Sequence, residues 1–271
     1  AWGATRRNIL RILVKLPQET GVDAVFDILG RNGVESLIQQ EVLFVGQLYG
    51  AIVDFAAEES SREVDLLIRA LRDQQADAIE RLFLLMRLLY HPSSAIQAAA
   101  FNLQSNSPDY MARGLEILDN TLDIVSKRIL LVLLDRRSDR EKLQSITDAI
   151  GYQPLSPSQR LRHLLELRYF LSDWTLACCF HLARRHRWSL TTDQTLAGLR
   201  HPTGFVRESV LTYLKVASPR SLIELLPLLK SDPDRLVTAQ VKTLMAEYNL
   251  AVDVTHNNGF NNGSGYRNAP V

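Results

Sequence analysis

Apolar residues recur along most of this chain at spacings of three and four, the pattern of helices that bury one face. The clearest example is 199–214, LRHPTGFVRESVLTYL, where a break at Pro202 is followed by Val206, Val210, Leu211 and Leu214. At the other end, Ile9, Leu10, Ile12, Leu13 and Leu16 predict a first helix over 5–16, with its apolar stripe buried and Pro17 as its stop. Thr20 and Asp23 open a second helix carrying Val22, Val25, Phe26 and Leu29, and Gly30 and Gly33 punctuate it. The stretch 34–57 is apolar on nearly every side and reads as a buried helix. A Ser60/Glu63 capping box predicts the next helix, with Val64, Leu67, Ile68 and Leu71. The apolar run 79–90 reads as a separate inner helix ended by His91-Pro92.

The remaining helix starts are marked by capping residues and first-turn prolines. They are Ser107-Pro108, Ser138/Glu141, Ser156-Pro157 with Gln159, Ser218-Pro219 and Asp232-Pro233. The predicted helices are 109–122, 126–134, 138–150, 157–171, 173–187, 192–199, 203–216, 220–230 and 234–248. Two prolines within 151–158 rule out a helix interior and mark a bend. It separates an N-terminal half, 1–150, from a C-terminal half, 151–255, of one array. The Asn/Gly-rich tail 256–271 is expected to be flexible. No segment has the period-2 alternation of a strand, so the fold class is all-α. Pro202 and Pro233 lie 31 residues apart, an interval that suits a repeated two-helix unit.

The units 201–214 (HPTGFVRESVLTYL) and 232–245 (DPDRLVTAQVKTLM) resemble HEAT-type repeats. Pro202, Val206, Arg207, Pro233 and Val237 match that pattern. Arg207 has no counterpart in the last unit, and Ile96-Gln97 replaces Val-Arg in a looser copy at 92–103. The resemblance implies a right-handed α-α superhelix of six to seven helix pairs. The stretch 79–123, with its Leu84–Tyr90 run, His-Pro break and Leu115–Leu122 stripe, is similar to HEAT-like regions fused behind bacterial membrane transporter domains. Those domains are of the ATP/ADP-carrier and major-facilitator type and occur in cyanobacteria among others. That likeness implies a soluble appendage of a membrane protein, and the Ala1-Trp2 start reads as the interior or processed end of something longer.

Charge and composition narrow the partners. The 31 Lys and Arg nearly balance 30 Asp and Glu, which speaks against a dedicated nucleic-acid binder. No stretch reaches the roughly 18 apolar residues of a membrane span, and no secretory signal opens the chain. The two cysteines, Cys178 and Cys179, are adjacent and cannot build a disulfide framework, so a reducing, cytoplasmic setting is expected. His181 and His186 lie close to them, but a second ligand pair for zinc is missing, and core cysteines are the expected reading.

One charged cluster stands out. Arg160, Arg162, Arg168, Arg184, Arg185 and Arg187, with Trp188, are read either as a solvated helix end whose cations meet the C-terminal dipole or as a basic ridge for a protein partner or an acidic lipid surface. Asp173 beside Trp174 is read as a helix N-cap and not as the carboxylate of a HEAT-like DNA glycosylase. Nucleophile, phosphate-loop and zinc-hydrolase signatures are absent, so neither catalysis nor a cofactor is expected. The expected function is a non-catalytic scaffold that binds a protein, within a membrane-associated assembly. Two alternatives stay open: a HEAT-like bilin lyase using Tyr169, Trp174, His181 and Trp188, and nucleic-acid binding through the 160–188 arginines.

Overall fold

The computed structural model describes residues 2–250, apart from 19, 59, 60 and 106. The tail 256–271 and Ser60 of the expected capping box lie outside the described residues. Among those described, the chain is all-α, with thirteen helices and one short 3-10 segment. They are α1 (Trp2–Leu13), α2 (Val22–Ala56), α3 (Arg62–Leu89), α4 (Ser94–Leu103), α5 (Pro108–Thr121), α6 (Lys127–Leu134) and α7 (Asp139–Ile150). After a loop over 151–156 follow α8 (Pro157–Glu166), α9 (Asp173–His186), α10 (Thr192–Leu199), α11 (Gly204–Ala217), α12 (Pro219–Leu225) and α13 (Arg235–Glu247).

Local chemistry sets the boundaries. Ser138 with Glu141 and Ser156 with Gln159 form reciprocal capping boxes at the starts of α7 and α8, and Thr191 with Gln194 forms a third at α10. Helix α3 is capped by Ser61, whose hydroxyl accepts from Val64 N–H. It runs unbroken to Leu89, so 79–90 is its second half and not a separate helix. Within α2, Gly30 sits at φ 63°, which only glycine adopts without strain, and the helix breaks there. Gly33 does not interrupt it. Pro227 ends α12 early and converts Leu226–Leu229 to 3-10 geometry.

The long helices α2 and α3 lie side by side at the centre. One row of packed helices runs α3, α9, α11, α13, and α2, α8 and α10 form the row behind it. Helices α4 to α7 do not stand between α3 and α9. They fold back, and α6 and α7 pack on α2. The two halves therefore share one continuous core, reaching from Val34 and Phe55 to Val241 and Met245.

The first helix departs from expectation. Ile9 and Ile12 are more than half exposed and Leu16 is 41% exposed, so only part of the stripe, Leu10 and Leu13, is half-buried. The face that α1 turns to its neighbours combines Leu10, packed on the core, with arginines paired to carboxylates. Arg7 pairs with Asp77, Arg11 with Glu80 at 2.5 Å, and Arg6 with Glu41 at 3.3 Å.

Three buried arginines cross-brace the elements. Arg81 of α3 forks onto Glu41 of α2, Nε to Oε1 at 2.9 Å and Nη2 to Oε2 at 2.8 Å, with both side chains 2% exposed. Arg160 of α8 donates to Asp54 of α2 at 2.6 Å, and Asp54 also accepts from the Tyr152 hydroxyl at 2.6 Å. Arg207 of α11 forks onto Asp232 at 2.8 and 2.6 Å. Lys142 of α7 is buried as well, donating to the Tyr49 hydroxyl and the Leu133 carbonyl, both at 3.0 Å. Burial, which disfavours its charged form, pushes its pKa below the ordinary lysine value.

Two stability predictions follow from these charges. Glu41→Ala strands the Arg81 charge and should cost about 3–5 kcal/mol in urea unfolding, whereas Glu41→Leu combined with Arg81→Met recovers most of that loss. Lys142→Met should raise the urea midpoint at pH 7, since it removes a charge that folding desolvates while Tyr49 still donates to Leu133. A lysine with a lowered folded pKa penalises the fold most at low pH. The gain should therefore shrink as pH climbs from the folded pKa towards the unfolded value of 10.5.

Candidate partner-binding face

Helices α9, α11 and α13 begin in the same way at a constant interval. Their N-caps are Ser172, Thr203 and Asp234, each 31 residues after the last. The second residue of each helix is a large apolar side chain that faces water: Trp174, Phe205 and Leu236 are 53%, 43% and 68% exposed. The third residues, Thr175, Val206 and Val237, are buried, as are Cys179, Val210 and Val241 one turn on. Neighbouring helix positions point about 100° apart, so burying the third residue turns the second outward. Because α9 packs on α11 and α11 on α13, the three exposed residues form a row across the helices.

The caps fix that row. Asp173 is the first residue of α9 and not its cap, which is Ser172, whose hydroxyl accepts from Thr175 N–H. The Asp173 carboxylate accepts from the Thr203 hydroxyl, joining the start of α9 to that of α11. Asp234 caps α13 by accepting from Leu236 and Val237 N–H, and it rests against Gly204. A side chain at Gly204 would overlap the Asp234 carboxylate. Arg207 completes the link, donating to the His201 and Pro202 carbonyls as well as to Asp232.

Shallow grooves flank the exposed row. One of about 360 Å³ lies between α9 and α11, lined by Trp174, His181, Phe205 and Glu208. Another of about 280 Å³ lies between α3 and α9, lined by Arg62, Glu63, Leu66, Trp174, His181 and Arg184. Burial, then the nearby Arg184, lowers the His181 pKa below its ordinary value, so the ring is neutral at pH 7. Burial pushes the Cys178 thiol up to about 11 and the Cys179 thiol higher still, which makes both poor nucleophiles. Among the described residues, no three His, Cys, Asp or Glu side chains are grouped to hold a metal ion, and no helix is long and apolar enough to cross a membrane.

The expected basic ridge is dispersed. Arg160 is 2% exposed and committed to Asp54 and the Gln153 carbonyl, so it offers nothing to a partner. Arg162 donates to the Ser189 carbonyl and hydroxyl, and Arg168 pairs with Asp193 at 3.3 Å. Arg184 lines the groove beside Trp174, while Arg185 and Arg187 are exposed at the end of α9. Arg187 takes a left-handed conformation there, at φ 53°. Trp188 is half-buried, stacked on His186 at 4.7 Å, and its carbonyl accepts from the Tyr213 hydroxyl. The four residues weighed for a bilin site are also separated: Trp174 and His181 share a groove, whereas Tyr169 lines a different cavity and Trp188 neither.

Phe205 and Leu236 were not foreseen as functional. The signal for them is an apolar residue between a capping residue and the first buried position, recurring at the repeat interval. Gly204→Ala should cost about 1–3 kcal/mol in urea denaturation, because the added carbon displaces the Asp234 cap. No protein-family model matches the chain, and neither a curated protein nor a solved structure was found to match it.

Proposed function

We propose that this chain is a non-catalytic helical-repeat scaffold, wound as a HEAT-like right-handed superhelix, that binds a protein partner along the Trp174–Phe205–Leu236 row. The observation that carries the reading is the row itself. Three large apolar side chains are kept in water at one helical position, in helices packed side by side, although the position after each of them and the one a turn further on are buried. Isolated exposed apolar residues are ordinary, but an aligned set beside grooves is the feature of an interaction surface. Packed helices stand roughly 8–10 Å apart, so a partner crossing the row meets an apolar anchor at each step. Arg184 and Arg62 supply charge at the α3 edge of that surface. In keeping with the likeness of 79–123 to transporter-fused regions, we place the partner in a membrane-associated assembly reached from the cytoplasm.

A photo-crosslinking residue placed at 205 in the full chain tests this in native extract, with the still more exposed Val125 as the control site. The expected result is a discrete adduct from 205 that is absent from 125 and is lost in the Trp174→Ala/Leu236→Ala background. Both truncations are of exposed side chains and should change stability by no more than about 0.5 kcal/mol each. An adduct that persists in that background, or the same adducts from both positions, overturns the reading.

A further inference from the structure

A separate cavity of about 400 Å³ opens between the turn after α8, the side of α9 and helix α10. It shares no lining residue with the grooves beside Trp174. Its floor is apolar and rigid: Leu171, Leu176, Phe180 and Val206 are each no more than 4% exposed. The Phe180 ring is held in place by Gly198, where a Cβ would come within 2.7 Å of it, and by Tyr213 at 6.3 Å between ring centroids. The cavity is therefore preformed, and its volume lies in the lower part of the ~300–1,000 Å³ range of small-molecule sites.

The polar groups around the cavity divide into used and unused. Gln194 donates to the Arg162 carbonyl and accepts from Thr191 N–H. His201 accepts from Thr203 N–H at Nδ1, its Nε2 faces the Asp173 carboxylate at 3.8 Å, and burial, partly offset by that carboxylate, lowers its pKa below the ordinary histidine value. Arg168 lies over the Tyr169 ring at 5.1 Å and touches Asp193 through one terminal nitrogen at 3.3 Å, and its Nε finds no partner. Arg200 is exposed and has no side-chain partner among the described residues. Two guanidinium groups against one solvent-facing carboxylate leave a single positive charge unanswered beside an apolar floor.

We propose that this cavity binds a small amphiphilic monocarboxylate, of the size of a medium-chain fatty acid. Its carboxylate sits between Arg168 and Arg200, and its chain lies on Leu171, Leu176, Phe180 and Val206. Guanidinium forks match a carboxylate in shape and charge. A monoanion balances the one surplus charge, whereas a dianionic phosphate exceeds it. The site is independent of the partner-binding row, so failure of either leaves the other standing.

Calorimetric titration of the full chain with hexanoate, octanoate and decanoate tests the assignment, with 1-decanol and decyl phosphate as the comparison probes. The expected result is one saturable site whose affinity rises about fourfold per added methylene, the gain for burying a CH₂. Decanoate should bind at least tenfold more tightly than 1-decanol and more tightly than decyl phosphate. Arg200→Met should weaken decanoate at least tenfold, and Ala197→Phe, which fills the cavity, should abolish binding, with helical circular dichroism as the check on folding. Should Ala197→Phe not fold, the exposed Arg200→Met substitution decides alone. The assignment is overturned by absence of saturable binding, by an affinity that Arg200→Met leaves unchanged, or by equal or tighter binding of the alcohol or the phosphate.

Discussion

The packing rests on guanidinium groups buried against carboxylates. Arg81–Glu41 ties α3 to α2, Arg160–Asp54 ties α8 to α2, and Arg207–Asp232 ties α11 to the approach to α13. Apolar helix faces tolerate some sliding, since Leu on Leu packs nearly as well one notch along. A planar fork does not, because its two hydrogen bonds hold together only at one offset and tilt. The net energy of each pair is modest once desolvation is counted, so their contribution is to register more than to depth of the energy minimum. With the register set, the second residues of α9, α11 and α13 come into line.

Helix α9 separates the two surfaces assigned here. Trp174 and His181 look out on one side of it, over the grooves towards α3 and α11, and Leu176 and Phe180 form the wall of the cavity under α10 on another. Such division is available to any helix that is buried between neighbours yet flanked by short ones. Here α10 has only eight residues, too few to cover the side of α9 completely. The shortness of α10 thus leaves the cavity, and the paired caps leave the row.

The parts of the fold legible in the sequence were those written in local chemistry. Ser138 with Glu141 and Ser156 with Gln159 announce α7 and α8 because both partners lie within four residues. Pro202 and Pro233 betray the 31-residue interval for the same reason. What failed was long-range. Nothing within reach of Arg160 marks Asp54, 106 residues earlier, as its partner, so a buried brace looked like part of a surface ridge. In α1 the apolar stripe pointed to one buried face, but Arg7 and Arg11, on either flank of Leu10, found Asp77 and Glu80, and Ile9, Ile12 and Leu16 are left facing water. Trp174 and Phe205 escaped notice as a row because a helical stripe analysis counts which positions are apolar, and not which of them the cap turns away from the core.

The placement of α9 against α3, past five intervening helices, has a consequence for how the chain comes together. In a simple stack each new unit covers the previous one as it emerges, and order can spread from neighbour to neighbour. Here the flanks of α2 and α3 that receive α8 and α9 stay open to water until residues 96 to 106 positions later have been made. Contacts that close so long a loop are slow to form. The array therefore locks as a closed circuit, with its oldest segment waiting on a much younger one, and the N-terminal half is left with an apolar flank for a chaperone to shield during synthesis.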